Sequence, residues 1–172
     1  MDRDTLRALQ APLKSAYKDD PTQALITLKA TGTLGENVSC KVDTGRALAE
    51  AGLHPATGGD GSLLCSGDML LEALVACAGV TLNAVATAID VQVKEGRVSA
   101  EGDLDFRGTL GVDREAPVGF RDIRLTFELD TDADDEQLAT LLKLTERYCV
   151  VLQTLARGPK LDVTLERSAA AV

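Results

Sequence analysis

The chain has 172 residues, of which 45% are hydrophobic and 26% charged, and its net charge is −9 at neutral pH. This composition excludes a disordered or collagen-like chain, and the length suits one domain with a substantial core. The sequence pI of about 4.6 argues against a nucleic-acid partner, because binding to phosphates depends on Lys and Arg.

The N-terminal part predicts one helix followed by a β-hairpin. Apolar side chains recur at helical spacing over 4–17, which predicts an amphipathic helix. Alternating residues over 24–30 and 38–43 predict two strands, joined by a glycine-containing turn. The first residues lack the apolar segment of a secretory signal, so we expect a cytoplasmic protein.

The middle of the chain predicts a long loop and then a long helix. Residues 44–67 are rich in glycine, and 46–51 are expected to form a helical turn that ends at Gly52. Ser66 to Asp68 is the predicted N-cap of a helix over 69–88. This helix is apolar on most of its circumference, which predicts a central, buried helix and no membrane span.

The C-terminal half predicts strands and a second long helix. The predicted strands are 91–102, 104–109, 120–130 and 161–165, and the helix runs from Glu136 until Gly158-Pro159 ends it. We find no repeat and no linker. The pattern therefore predicts a single α+β domain over 1–172, with a helical extension at 1–20 and a frayed tail at 166–172.

Two of the four cysteines lie at apolar positions of the predicted helices. Cys77 and Cys149 could perform thiol–disulfide chemistry if their helices pack face to face, because cytosolic thiols stay reduced. Free cysteine is also a common buried hydrophobe, so two ordinary core residues are the alternative. A zinc site with His54 and Cys65 is a further alternative, although no C-x-x-C pair is present.

Four segments resemble the osmotically inducible protein C (OsmC)-like family. Residues 66–77 read SGDMLLEALVAC and resemble the central helix of the family with its first cysteine. Residues 101–108 and 120–129 are similar to the strands that follow. Residues 146–151 read ERYCVV and resemble the helix that carries the second cysteine. The resemblance covers roughly 25–165.

The resemblance implies an α+β fold with antiparallel sheets around a long central helix, in an intertwined homodimer. It also implies reduction of organic hydroperoxides, without a metal or another cofactor. Cys77 would attack the peroxide as a thiolate and become a sulfenic acid, and Cys149 would resolve it as a disulfide. A dithiol reductant, such as a lipoyl group, would then restore both thiols.

The resemblance also indicates which residues could activate the thiolate. Members with peroxidase activity use an arginine from the N-terminal hairpin, paired with a glutamate near the start of the central helix. The hairpin over 29–41 has no arginine here, so Arg46 is the nearest candidate and Arg147 the second. Asp68 stands at the glutamate position, with Glu72 as an alternative.

The sequence thus predicts a cytoplasmic two-cysteine peroxidase of the oxidative stress response, with no nucleic-acid or membrane partner. Two alternatives stay open. One is a non-enzymatic protein of the same fold that binds a small apolar or reactive-sulfur ligand. The other is a dimer whose thiols have no redox role. The peroxidase requires Cys77 to be exposed to a pocket and close to Cys149, the binding protein requires a large apolar pocket with unreactive thiols, and the structural dimer requires no pocket.

Overall fold

The computed structural model describes residues 2–19, 31–34, 39–43 and 48–167. The helices are α1 (Arg3–Asp19), α2 (Ser66–Ile89), α3 (Phe106–Thr109), α4 (Asp135–Tyr148) and α5 (Val150–Ala156). The strands are β1 (Thr31–Leu34), β2 (Ser39–Asp43), β3 (Leu48–Gly52), β4 (Leu64–Cys65), β5 (Val93–Leu104) and β6 (Phe120–Thr131). The predicted N-terminal helix is confirmed as α1.

The long helix α2 organises the core. Its buried residues recur three or four positions apart and pack against α4, α5 and β5; they are Leu74, Ala78, Leu82, Val85 and Ala86. This spacing places them on one stripe, as expected for an amphipathic core helix. The predicted helix over 69–88 is therefore confirmed. Its predicted N-cap is wrong, because Cys65 is the capping residue and 66–68 form the first turn.

Helix α2 is also long and apolar enough, by length and composition, to cross a membrane. The central helix of a globular protein passes the same test. Only 28% of its most apolar window is buried within this chain, and Val80 is 72% exposed. The face that carries Val80 is thus uncovered by the described residues.

The first sheet has the strand order β1-β2-β3-β4. Strands β1 and β2 pair antiparallel, which confirms a hairpin and its second strand. Strand β1 occupies 31–34, where the sequence predicted the turn, and the predicted first strand at 24–30 lies outside the described residues. The predicted helical turn at 46–51 is wrong, because 48–52 form β3. This strand pairs with β2 on one side and β4 on the other. So short a helix is marginal, and the two ladders outweigh its local propensity.

The second sheet is the antiparallel pair β5-β6, with twelve residues in each strand. The predicted strand at 120–130 is confirmed, and its apolar face is half-buried against α2 and α4. Two strands predicted at 91–102 and 104–109 prove to be one strand and the helical turn α3. The Asp105 side chain starts this turn by accepting a hydrogen bond from the Arg107 amide at 3.1 Å.

The predicted second long helix is interrupted. Asp134 and Gln137 form a capping box that starts α4. Cys149 has an extended ψ of 108° and separates α4 from α5, so one continuous helix is wrong. The predicted strand at 161–165 is also wrong, because 158–167 have no regular secondary structure.

Candidate active site: two thiols between α2 and α5

The structure brings together the two cysteines that the sequence singled out. Cys77 lies in the fourth turn of α2 and is half-buried, whereas Cys149 is 1% exposed. Both pack in one apolar cluster with Leu74 and Ala78. The Cys149 thiol lies within hydrogen-bonding distance of the Cys77 sulfur, and both cysteines are free. This arrangement permits thiol–disulfide exchange without a large movement.

The break at Cys149 aims the start of α5 at the Cys77 sulfur. The β-branched pair Val150-Val151 follows the break, and such residues favour a helix less than Leu or Ala. The Gln153 side chain bridges the two helices by donating to the Glu146 carbonyl at 2.7 Å. The free backbone N–H groups at the start of α5 can therefore point at a neighbouring sulfur.

These contacts lower the pKa of Cys77. Burial alone would raise it, but several donors to the sulfur outweigh burial. They are the backbone N–H groups of Val150 and Val151, the Cys149 thiol and the Thr81 hydroxyl. Donors that point at a sulfur stabilise its charged form, so Cys77 is the better nucleophile of the pair.

The pKa of Cys149 is raised. Burial is the largest cause, and the hydrogen bond to Cys77 and the negative charge on that sulfur add to it. The backbone N–H groups of Leu152 and Val151 oppose this rise only in part. The two thiols thus differ as an attacking and a resolving cysteine would, with the thiolate on the more exposed residue.

A cleft of 310 Å³, lined mainly by apolar side chains and also by Arg121 and Asp122, lies beside the thiol cluster, and neither Cys77 nor Cys149 is among its lining residues. Leu74 and Leu152 line the cleft and also pack in the cluster around Cys149. Further lining side chains come from β6 and α5, with Phe120 and Leu155 among them. A cleft of this size and composition suits a small apolar molecule.

Of the predicted activating pair, the structure describes Asp68 but not Arg46. Asp68 is exposed in the first turn of α2, nine residues before Cys77, which is about 13 Å along the helix axis. Arg46 lies outside the described residues, so its role stays a prediction. Arg147 is exposed, and its guanidinium lies 5.5 Å from the centre of the Tyr148 ring. Glu72 is exposed as well.

The other sequence candidates lie away from the thiol pair. Cys65 is half-buried at the start of α2, and the His54 ring stacks on Phe106 at 4.9 Å between centroids. Within the described ranges, no three His, Cys, Asp or Glu side chains are grouped so as to hold a metal ion. The zinc alternative has no support there.

Thr81 is a site residue that the sequence analysis missed. Its position four residues after Cys77 places both side chains on adjacent turns of one helix face, and this spacing was a usable signal. We expect Thr81→Val to raise the pKa of Cys77 and to slow its alkylation by iodoacetamide at pH 7 roughly three-fold or more. The pH dependence of alkylation, followed by mass spectrometry, measures this.

Thr87→Val on the same helix is the matched control. The Thr87 hydroxyl donates to the Asn83 carbonyl at 2.8 Å and lies ten residues after Cys77, about 15 Å along the helix axis. Alkylation of Cys77 should be unchanged in this variant. Equal rates in both variants and the unaltered protein would show that the Thr81 hydroxyl does not support the thiolate.

Comparison with protein families finds a match over more than half of the chain. Residues 59–164, which include both thiols of the site, match the family model described as OsmC-like protein. A search of curated proteins finds no significant match.

Solved structures with the same fold include three informative cases. An OsmC-like protein from Mycoplasma pneumoniae has 20% identity and a TM-score of 0.64, over 77% of this chain and 89% of that one. An organic hydroperoxide resistance protein OsmC from Legionella pneumophila has 18% identity and a TM-score of 0.60, over 78% and 91%. An organic hydroperoxide resistance protein from Elizabethkingia anophelis has 20% identity and a TM-score of 0.60, over 78% and 90%. The predicted α+β fold class is confirmed.

Proposed function

Because this chain belongs to the OsmC-like protein family, we propose that it reduces organic hydroperoxides by a two-cysteine mechanism. The observation that carries the proposal is the direct contact between Cys77 and Cys149, whose pKa values shift in opposite directions. Two structural neighbours are themselves called organic hydroperoxide resistance proteins, which supports the choice of substrate.

The first step uses the thiolate of Cys77. Its sulfur attacks the terminal oxygen of the hydroperoxide, so that an S–O bond forms and the O–O bond breaks. The alkoxide leaves and takes up a proton as an alcohol, and Cys77 becomes a sulfenic acid. The donors at the start of α5 support this step by keeping the sulfur charged.

The second step uses Cys149. Its sulfur attacks the sulfur of the sulfenic acid, the S–S bond forms, and hydroxide leaves and is released as water. The balance is two thiols and one hydroperoxide consumed, with one disulfide, one alcohol and one water produced. A dithiol reductant, such as a lipoyl group, then exchanges with the disulfide and restores both thiols.

The cleft supports an organic rather than an inorganic peroxide. Its apolar lining includes Leu74 and Leu152. Burial of an alkyl group against these side chains stabilises the bound substrate by roughly 25 cal/mol per Å² buried. Hydrogen peroxide has no such group to bury. We therefore expect a preference for hydroperoxides with an apolar substituent.

We also propose that the protein is a homodimer. On α2, the exposed stripe of Ala73, Ala76 and Val80 would be covered by a second copy. The C-terminal segment supports this, because Leu161, Val163 and Leu165 alternate with polar residues and are 79%, 95% and 98% exposed. Such side chains are costly to leave in water and are typical of an interaction surface.

A cytoplasmic location and a role in the oxidative stress response complete the proposal. A reducing compartment keeps Cys77 and Cys149 as thiols between turnovers, which the mechanism requires. A peroxide-reducing protein in that compartment would protect it from organic oxidants.

Addition of one equivalent of tert-butyl hydroperoxide to the fully reduced protein tests this function. We expect rapid loss of two of the four thiols and a mass decrease of about two hydrogens, counted by alkylation and mass spectrometry. Hydrogen peroxide should react more slowly, and a dithiol should restore all four thiols. If Cys77 stayed reduced for hours in excess hydroperoxide, the peroxidase proposal would be wrong and the binding alternative favoured.

A further inference from the structure

Thr145 carries a buried hydroxyl that the structure leaves unsatisfied. Its side chain is 1% exposed, and its Oγ1 atom has no hydrogen-bond partner among the described residues. A helical threonine can donate to the carbonyl four residues back, as Thr87 and Thr154 do here at 2.8 Å. A buried polar group without a partner lowers stability, because the hydroxyl has lost its hydrogen bonds to water. A threonine at this buried position therefore needs an explanation.

The position of Thr145 points to the thiol pair. Leu141, Thr145 and Cys149 lie four residues apart on one face of α4, and each is 1% exposed. The Cys149 amide donates to the Thr145 carbonyl at 2.9 Å, so the helical register continues to Cys149. Side chains four apart in a helix are neighbours, which places the Thr145 hydroxyl beside the Cys149 thiol.

Besides the backbone N–H groups of Leu152 and Val151, the surroundings of Cys149 are apolar. The apolar cluster that contains Cys149 draws side chains from α2, β5, β6 and α5; they are Leu74, Cys77, Ala78, Val98, Ala100, Ile123, Leu125, Phe127, Val151 and Leu152. Cys77 is the one titratable group among these described residues, and a negative charge on it opposes ionisation of Cys149. Burial outweighs those two N–H groups, so a further neutral donor such as a hydroxyl would assist the resolving step.

We propose that Thr145 is a positioning residue for the second step, which donates a hydrogen bond to the Cys149 sulfur as that thiol loses its proton. The bond is absent in the reduced state, in which the Cys149 thiol donates to Cys77, and forms as Cys149 attacks. An interaction made only on the way to the transition state lowers the barrier without stabilising the reactant. This inference rests on the proposed function.

Thr145→Val and Thr145→Ser test the proposal. Valine keeps the shape and removes the hydroxyl, whereas serine keeps the hydroxyl. After one equivalent of tert-butyl hydroperoxide, we expect Thr145→Val to form the sulfenic acid at the normal rate and to convert it to the disulfide about ten-fold more slowly. The pH profile of that second step should move to higher pH, and Thr145→Ser should restore most of the rate.

Thermal unfolding separates this role from a structural one. Reduced Thr145→Val should unfold at a midpoint no lower than that of the unaltered protein, because it loses only an unsatisfied hydroxyl. Thr154→Val, which alters an exposed hydroxyl on α5, should resolve at the normal rate. An unchanged second step in Thr145→Val, or equal slowing of both steps with a lower midpoint, would overturn the proposal.

Diamide makes the test independent of peroxide. This oxidant adds to the Cys77 thiolate, and attack by Cys149 on that sulfur then forms the disulfide and releases the hydrazine. Thr145→Val should slow this attack as well. If hydroperoxide leaves the unaltered protein reduced but diamide shows the Thr145 effect, the peroxidase function fails and the Thr145 inference stands. If diamide shows no effect, the Thr145 inference fails.

Discussion

Cys149→Ser is expected to stop the reaction with tert-butyl hydroperoxide at a sulfenic acid on Cys77, with one thiol consumed instead of two. The serine hydroxyl can replace the hydrogen bond that Cys149 donates to Cys77, so the first step should keep most of its rate. Serine cannot form the disulfide, and the sulfenic acid should therefore persist long enough to be trapped with dimedone. Mass spectrometry of the adduct measures its amount and its position.

Cys77→Ser is expected to lose the rapid reaction altogether. The donors at the start of α5 then face a hydroxyl that does not ionise near neutral pH, and the remaining Cys149 has a raised pKa and is buried. Thiol loss should fall to the rate of an ordinary free cysteine. Rapid oxidation of Cys77→Ser, or an undiminished two-thiol loss in Cys149→Ser, would contradict the assigned roles.

Cys65→Ser is the matched control for both variants. Cys65 is a half-buried free cysteine that caps the N-terminus of α2. It is not part of the cluster that contains Cys77 and Cys149. Its replacement should leave the loss of two thiols unchanged. The disulfide should also lie within one chain, so the oxidised protein should run as a monomer on a non-reducing denaturing gel.

Much of the fold follows from local pattern, because long periodic segments define their own elements. The stripe on α2 and the alternation of Ile123, Leu125 and Phe127 on β6 are each strong enough to predict one element. Shorter segments depend on partners that a local pattern does not contain. Thus 48–52 form a strand only because β2 and β4 flank them, and the alternation at 161–165 forms no strand where no ladder is available.

The candidate site, too, is predictable from the sequence only in part. Cys77 and Cys149 could be chosen from their helical positions and from the resemblance, and the structure places them in contact. The donors that set their pKa values depend on the break at Cys149, which helical periodicity does not reveal. The apolar periodicity continues through Cys149 without interruption. The N–H groups of Val150 and Val151 face the Cys77 sulfur because the backbone at Cys149 is extended and a new helix starts there.

Val80→Arg is expected to convert a dimer into a monomer, halving the mass measured by light scattering to the 18.1 kDa of one chain. Val80 is 72% exposed in the middle of the stripe on α2 that the proposed interface would cover. A guanidinium forced into an apolar contact loses its hydration without gaining a partner, which costs several kcal/mol. The thiol pair lies within one chain, so thiol loss with hydroperoxide should persist in the monomer, at a lower rate if the partner shapes the cleft.

Val112→Arg provides the control, because Val112 is 73% exposed in the segment between α3 and β6. The two substitutions add the same charge at nearly the same exposure, so a non-specific effect on solubility should appear in both. Dissociation in Val80→Arg alone would place the contact on α2. A mass of one chain for the unaltered protein at tens of micromolar, or an intact dimer in Val80→Arg, would mean that this face is not the interface. The exposed stripe and the extended C-terminal segment would then need separate partners.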